Sequence, residues 1–128
     1  MDEQIILFMD DSPLRAIRMH EWMLPKDRQR TIWVKNVSEA LTVLRDYTDS
    51  IEIAHLDYEL TDEEDIDSRQ HDCGMEVVRW LENIPENKRN KFINCTFIIH
   101  THNKHEGIEM VERINNLKLK AKYQPFGL

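Results

Sequence analysis

The chain has 128 residues, and its 24 Asp and Glu against 17 Lys and Arg leave a formal charge of −7 at neutral pH. That length suits one domain with a core of its own, and 41% hydrophobic with 32% charged residues is a foldable mixture rather than a disordered one. With only 3 glycines, neither G-x-G-x-x-G nor G-x-x-x-x-G-K-[ST] can be written anywhere in it, which excludes the Gly-rich phosphate cradles. The acidic balance argues against a duplex-DNA binder, whose affinity rests on Lys and Arg neutralising phosphates. Cys73 and Cys95 lack C-x-x-C spacing, so neither a zinc ribbon nor a redox pair is written in the chain. The apolar run Ile5–Met9 is too short for a signal peptide or a membrane span, and a cytoplasmic, reducing setting is expected.

Gln4–Met9 (QIILFM) predicts a strand buried on both faces and ending at Asp10-Asp11. Ser12 as N-cap with Pro13 at the first helical position opens a helix over about Leu14–Leu24, with Leu14, Ile17 and Trp22 as its apolar stripe. Pro25 and the basic stretch Lys26–Arg30 close it. Thr31–Lys35 is a second strand. Ser38 caps a helix over about Glu39–Tyr47 whose buried side is Ala40, Leu41, Leu44 and Tyr47. Ile51–Leu56 is a third strand, ending in Asp57. The stretch Tyr58–Asp72 holds seven acidic residues and reads as a solvated loop. A helix follows over about Gly74–Glu82, then a strand at Asn94–His100, and a helix over Glu106–Leu117 carried by Ile108, Val111 and Ile114. Leu119–Tyr123 is a short fifth strand.

This alternation of strands and helices requires right-handed crossovers, a parallel sheet and helices on both faces. The fold class predicted is α/β: a flavodoxin-like, doubly wound sheet of five parallel strands in the order 2-1-3-4-5. It spans residues 1–128 as a single domain, without a fifth helix after the last strand. In that order the ligand crevice lies outside the carboxyl ends of strands 1 and 3.

The residues at those ends are Asp10, Asp11 and Asp57. One Asp there would be read as a helix cap, but three converging carboxylates repel one another, and a hard divalent cation relieves this. Mg²⁺ (or Mn²⁺) takes carboxylates together with neutral oxygens, and the backbone carbonyl of Glu59 is a candidate for one of these. Strand 4 ends in His100-Thr101-His102-Asn103. His100, His102 and His105 suggest half of an H-x-H-x-D-H metallohydrolase motif, but Lys104 stands where Asp is required. Asp62–Asp67 lacks the glycine and ligand spacing of a calcium loop. His20 reads as helix surface, His55 as core edge, and Trp22, Trp33 and Trp80 as core or its rim.

The segments LFMDDSPLR (Leu7–Arg15), HLDYEL (His55–Leu60), CGMEVVRWLEN (Cys73–Asn83) and HTHNKHEGIEM (His100–Met110), in this order and spacing, resemble a response-regulator receiver domain. More narrowly, the chain is similar to the receiver-like family named for cyclic-phosphate processing. The receiver resemblance implies Asp57 as phosphoacceptor, Mg²⁺ held by Asp10 and Asp11, and phosphoryl contacts from Thr101 and from a Lys before the Pro. Here Gln124 stands in place of that Lys, ahead of Pro125. The narrower family shows Asp-His-Asp where this chain has Asp57-Tyr58-Glu59, and His-Ser-x-Asn where it has His100-Thr101-His102-Asn103.

The resemblance thus implies a metal-dependent phosphoesterase acting on a cyclic phosphate or related phosphodiester, a cyclic nucleotide or an RNA end. Asp10, Asp11 and Asp57 hold the cation, Thr101 and Asn103 orient the phosphate, and His100 or His102 is the acid/base residue. Two other functions stay open. One is a non-catalytic module binding a protein partner, which Tyr58 and Gln124 favour; the other is a receiver phosphorylated on Asp57. Neither duplex DNA nor a membrane is an expected partner.

Overall fold

The computed structural model describes residues 4–57, 74–101 and 103–125. Its elements run β1 (Ile5–Met9), α1 (Pro13–Trp22), α2 (Pro25–Gln29), β2 (Thr31–Val34), α3 (Val37–Asp46), β3 (Ile51–Asp57), α4 (Met75–Asn83), α5 (Glu86–Arg89), β4 (Thr96–His100), α6 (Lys104–Asn116) and β5 (Lys120–Tyr123). The five strands form one sheet in the order β2-β1-β3-β4-β5, every pair parallel, as the alternation predicts. Among the described residues no helix follows β5.

The two faces of the sheet are covered unequally. Leu7, Met9, Val34, Ala54, Leu56, Phe97 and Ile99 pack on α3, α4 and α6, through Ala40, Leu44, Val78, Leu81, Met110 and Ile114 among others. No residue of α1 joins that cluster. Strand periodicity sends Ile6, Phe8, His55 and His100 to the opposite face, where α1 lies with a single buried residue, Ala16.

Several local expectations are corrected. Leu14, Ile17 and Trp22 are 58%, 57% and 61% exposed, so they are not the buried stripe of α1. The inward stripe is Arg15, Ala16 and Met19, with Arg15 anchored on the carboxylates at the ends of β1 and β3. Asn36 rather than Ser38 caps α3, its side chain accepting from Glu39 N at 2.9 Å, and Tyr47 and Ile108 are 44% and 37% exposed rather than buried. Lys26–Arg30 does more than close α1: Pro25, at a first helical position, starts α2, and Arg30 pairs with Asp27 and Glu52. Trp80 lies at the core rim against Phe92, whereas Trp22 and Trp33 are surface residues.

Two buried imidazoles fill the α1-side face. His55 Nδ1 and His100 Nε2 are 2.8 Å apart with the rings stacked, and His100 Nδ1 lies 2.6 Å from the Gln124 carbonyl oxygen. Since that carbonyl only accepts, Nδ1 of His100 carries the proton, Nε2 accepts, and His55 donates from Nδ1. Burial holds both rings neutral, pushing His55 down to about 3 and His100 down to about 4 from an ordinary 6.5.

On the other layer, Gly107 of α6 admits the Tyr123 ring: a Cβ at Gly107 would lie 2.6 Å from Tyr123 Cε1 and 2.9 Å from Thr101 Cγ2. Tyr123 is tethered by its hydroxyl, which donates to the Thr101 carbonyl at 2.8 Å.

Because His55 and His100 titrate lower when folded, the unfolded chain binds more protons below 6.5, and stability falls as pH drops from about 6.5 toward 4. The urea midpoint is expected to decline through that window and His55→Phe to flatten the decline; a wild-type midpoint constant down to pH 4.5 would contradict it. Gly107→Ala, which in an open helix would stabilise by roughly 0.5–1 kcal/mol, is expected here to destabilise by about 1–3 kcal/mol in denaturant titrations.

Candidate functional site

Parallel pairing of β1 with β3, in register Met9↔Leu56, brings the two strand ends to one level. Asp10 follows β1 and Asp57 closes β3, both buried, with Asp11 half-buried beside them. One carboxylate oxygen from each of Asp10, Asp11 and Asp57 lies within 4.8 Å of the others. The three carboxylates foreseen at the crevice therefore do meet.

The turn into α1 organises them. Ser12 caps the helix, its Oγ accepting from Arg15 N at 3.3 Å, while Ser12 N donates to Asp10 Oδ1 at 2.8 Å. The Asp10 carbonyl accepts from Trp33 Nε1 at 2.7 Å, tying the end of β1 to β2. Arg15, in the first turn, forms a two-pronged pair with Asp10: Nε to Oδ2 at 2.7 Å and Nη2 to Oδ1 at 2.9 Å. The same Nη2 lies 3.2 Å from Asp57 Oδ2 and 3.6 Å from Asp11 Oδ1. The hydrogen bond to Asp10, with the charges of Asp10, Asp57 and Asp11, holds the guanidinium pKa above the ordinary arginine value.

Thr101 and His100 stand at the end of β4, both buried, and Asp57 is the register partner of His100. Thr101 Oγ1 accepts from Asn103 N at 3.0 Å, and Asn103 Oδ1 caps α6 by accepting from Glu106 N at 3.2 Å. Asn103 is thus a helix cap before it is anything else. The ring nitrogens of His100 face His55 and the Gln124 carbonyl. Gln124 enters the site through its backbone: its N–H donates to Ile99 O at 2.9 Å, extending the ladder past β5. Of the histidine trio, His105 is exposed on α6, far from the burial of His100. Glu59, Tyr58, His102 and the acidic stretch through Asp72 lie outside the described residues.

Sequence reasoning gave Arg15 no role and placed His55 at the core edge, where it is buried, without its bond to His100. Arg15 stands four residues after Asp11, one helical turn on, a spacing that pairs opposite charges. His55 stands two residues before Asp57, so it shares its face of β3. Both signals are present but common.

Three carboxylates with converging oxygens, two of them buried, fit a hard divalent cation. They make the one such cluster of potential ligands among the described residues. No helix there is long and apolar enough to cross a membrane.

Comparison with solved structures gives the fold. A signal receiver domain from Vibrio parahaemolyticus is similar at TM-score 0.63 and 16% identity, covering 99% of this chain and 81% of the other. A response regulator from Burkholderia pseudomallei, crystallised with a phosphorylated aspartic acid, a calcium ion and citrate, is similar at TM-score 0.61 and 12% identity, covering 98% and 61%. A response regulator receiver protein from Pseudomonas putida is similar at TM-score 0.59 and 12% identity, covering 100% and 89%. No curated protein matches in sequence. The model of the cyclic-phosphate processing receiver domain matches residues 5–116, most of the chain and every residue of the carboxylate cluster. On its sequence, its strand order and its gathered strand-end carboxylates, the chain belongs to the family of cyclic-phosphate processing receiver domains.

Proposed function

We propose that this domain is a divalent-cation-dependent phosphoesterase whose substrate is a cyclic phosphate or related phosphodiester, such as a cyclic nucleotide or an RNA end. The observation that carries this is the meeting of Asp10, Asp11 and Asp57 within 4.8 Å, in a family described by cyclic-phosphate processing. In this reading the three carboxylates hold Mg²⁺ or Mn²⁺, with the Glu59 carbonyl as a further oxygen. Bound there, such an ion would supply Lewis-acid chemistry, polarising a phosphate oxygen and lowering the pKa of a water.

The chain's own groups do the rest. The Thr101 hydroxyl and the Asn103 amide NH₂ orient the phosphate at the end of β4. His100, neutral at pH 7 with its Nδ1 proton directed at the Gln124 carbonyl, acts as a positioning residue rather than as the direct proton donor. That assigns protonation of the leaving oxygen to His102, two residues on. A second reading, Asp57 as phosphoacceptor, is favoured by its buried place at the end of the central strand β3, with Thr101 at the end of β4.

Purified protein with Mg²⁺ or Mn²⁺ is expected to hydrolyse at least one member of a panel of 2′,3′- and 3′,5′-cyclic nucleotides. Asp57→Asn is expected to lower that turnover by about a hundredfold or more. Turnover equal in the two proteins would overturn the reading. Gain of one phosphoryl group on Asp57 from acetyl phosphate, without cyclic-phosphate turnover, would establish the second. Mg²⁺ at a hundredfold excess over Kd is expected to stabilise the wild type by about 2.7 kcal/mol, read as a raised thermal midpoint.

A further inference from the structure

One nitrogen stands at the centre of the acidic cluster. Arg15 Nη2 is 2.9 Å from Asp10 Oδ1, 3.2 Å from Asp57 Oδ2 and 3.6 Å from Asp11 Oδ1. It lies within 3.6 Å of one oxygen of each carboxylate, and these are the same three side chains that would hold a small cation. Guanidinium and cation are therefore alternatives, since both need those oxygens and like charges repel at that separation. Arg15 is built to leave. Its side chain is 27% exposed where those of Asp10 and Asp57 are 0% and 5% exposed, and it hangs on a flexible stem from the first turn of α1.

We propose that Arg15 is a tethered counter-ion that holds the cation position among Asp10, Asp11 and Asp57, and that a divalent ion binds by exchange, taking the carboxylates as the guanidinium swings off them. This rests on the reading that the cluster binds a divalent cation, and it adds a built-in competitor that sets the affinity. Metal binds only the fraction of molecules whose Arg15 has let go, so the apparent affinity is reduced by that fraction. An apo pocket closed by its own arginine also avoids leaving buried carboxylates without a cation.

The test is calorimetric titration of Mg²⁺ into the full chain, wild type against Arg15→Met. Binding about tenfold or more tighter in the variant is the expected result. Equal or weaker binding in the variant overturns the exchange and leaves the cation site standing; no binding to either protein overturns both. Because Arg15→Met leaves the carboxylates to repel one another and can fail to fold without metal, the wild type supplies a second readout. The Arg15 Nε–H signal in ¹⁵N NMR is expected to be protected from solvent exchange in apo protein and to exchange about tenfold or more faster at saturating Mg²⁺. Protection unchanged by Mg²⁺ that binds in calorimetry overturns the proposal.

Discussion

Mutual repulsion of three carboxylates at one lip of a parallel sheet is the constraint around which this molecule is arranged. The strand order makes β1 and β3 neighbours, and their register leaves Asp10 and Asp57 side by side with Asp11 next to them. Without a cation the carboxylates would repel one another at the ends of β1 and β3. Arg15 supplies one from within the chain, two-pronged on Asp10 and in contact with Asp57. Asp10 is fully buried and Arg15 only partly, so the carboxylate is the member that needs a counter-charge. That pairing ties α1 to the site. With Arg15 turned inward, Ala16 and Met19 follow it, and Leu14 and Ile17 are carried out to solvent.

The unequal cover of the sheet gives the site its two kinds of wall. One layer is a continuous apolar core under α3, α4 and α6, and from it Thr101 is steadied by the Tyr123 hydroxyl and by the close approach at Gly107. The other layer carries the polar pairs, His55 with His100 and Arg15 with Asp10. A buried imidazole pair is tolerated because each ring finds a partner and neither need be charged. It also links the centre of the sheet to the chain after β5, through the Gln124 carbonyl. By strand alternation Asp10 and Asp57 belong to the polar layer, with the apolar core across the sheet from them.

Gln124 illustrates how a departure from a family pattern acquires meaning. In sequence it is a missing cation beside the phosphate position. In the fold it contributes through its backbone: its N–H extends the β4–β5 ladder and its carbonyl accepts a hydrogen bond from His100 Nδ1–H. The positive charge enters from the opposite end of the chain, on α1.

Strand existence, order and parallel sense were legible in the residues, because apolar runs and their alternation with helical periodicity leave few topologies open. Asp10, Asp11 and Asp57 were legible for the same reason, since a strand end has a known place in a known order. What one dimension could not reveal were choices made by packing: that the face of α1 carrying Arg15, and not its apolar stripe, turns inward, that Asn36 caps α3, that His55 and His100 share a bond, and that Arg15 lies among the carboxylates. Each turns on an energy difference between neighbours distant in sequence, and a periodicity counts residues without weighing such neighbours. The chain alone determined where negative charge would gather; only the folded molecule decided which positive group would meet it, because that depended on the rotation of one helix against one sheet.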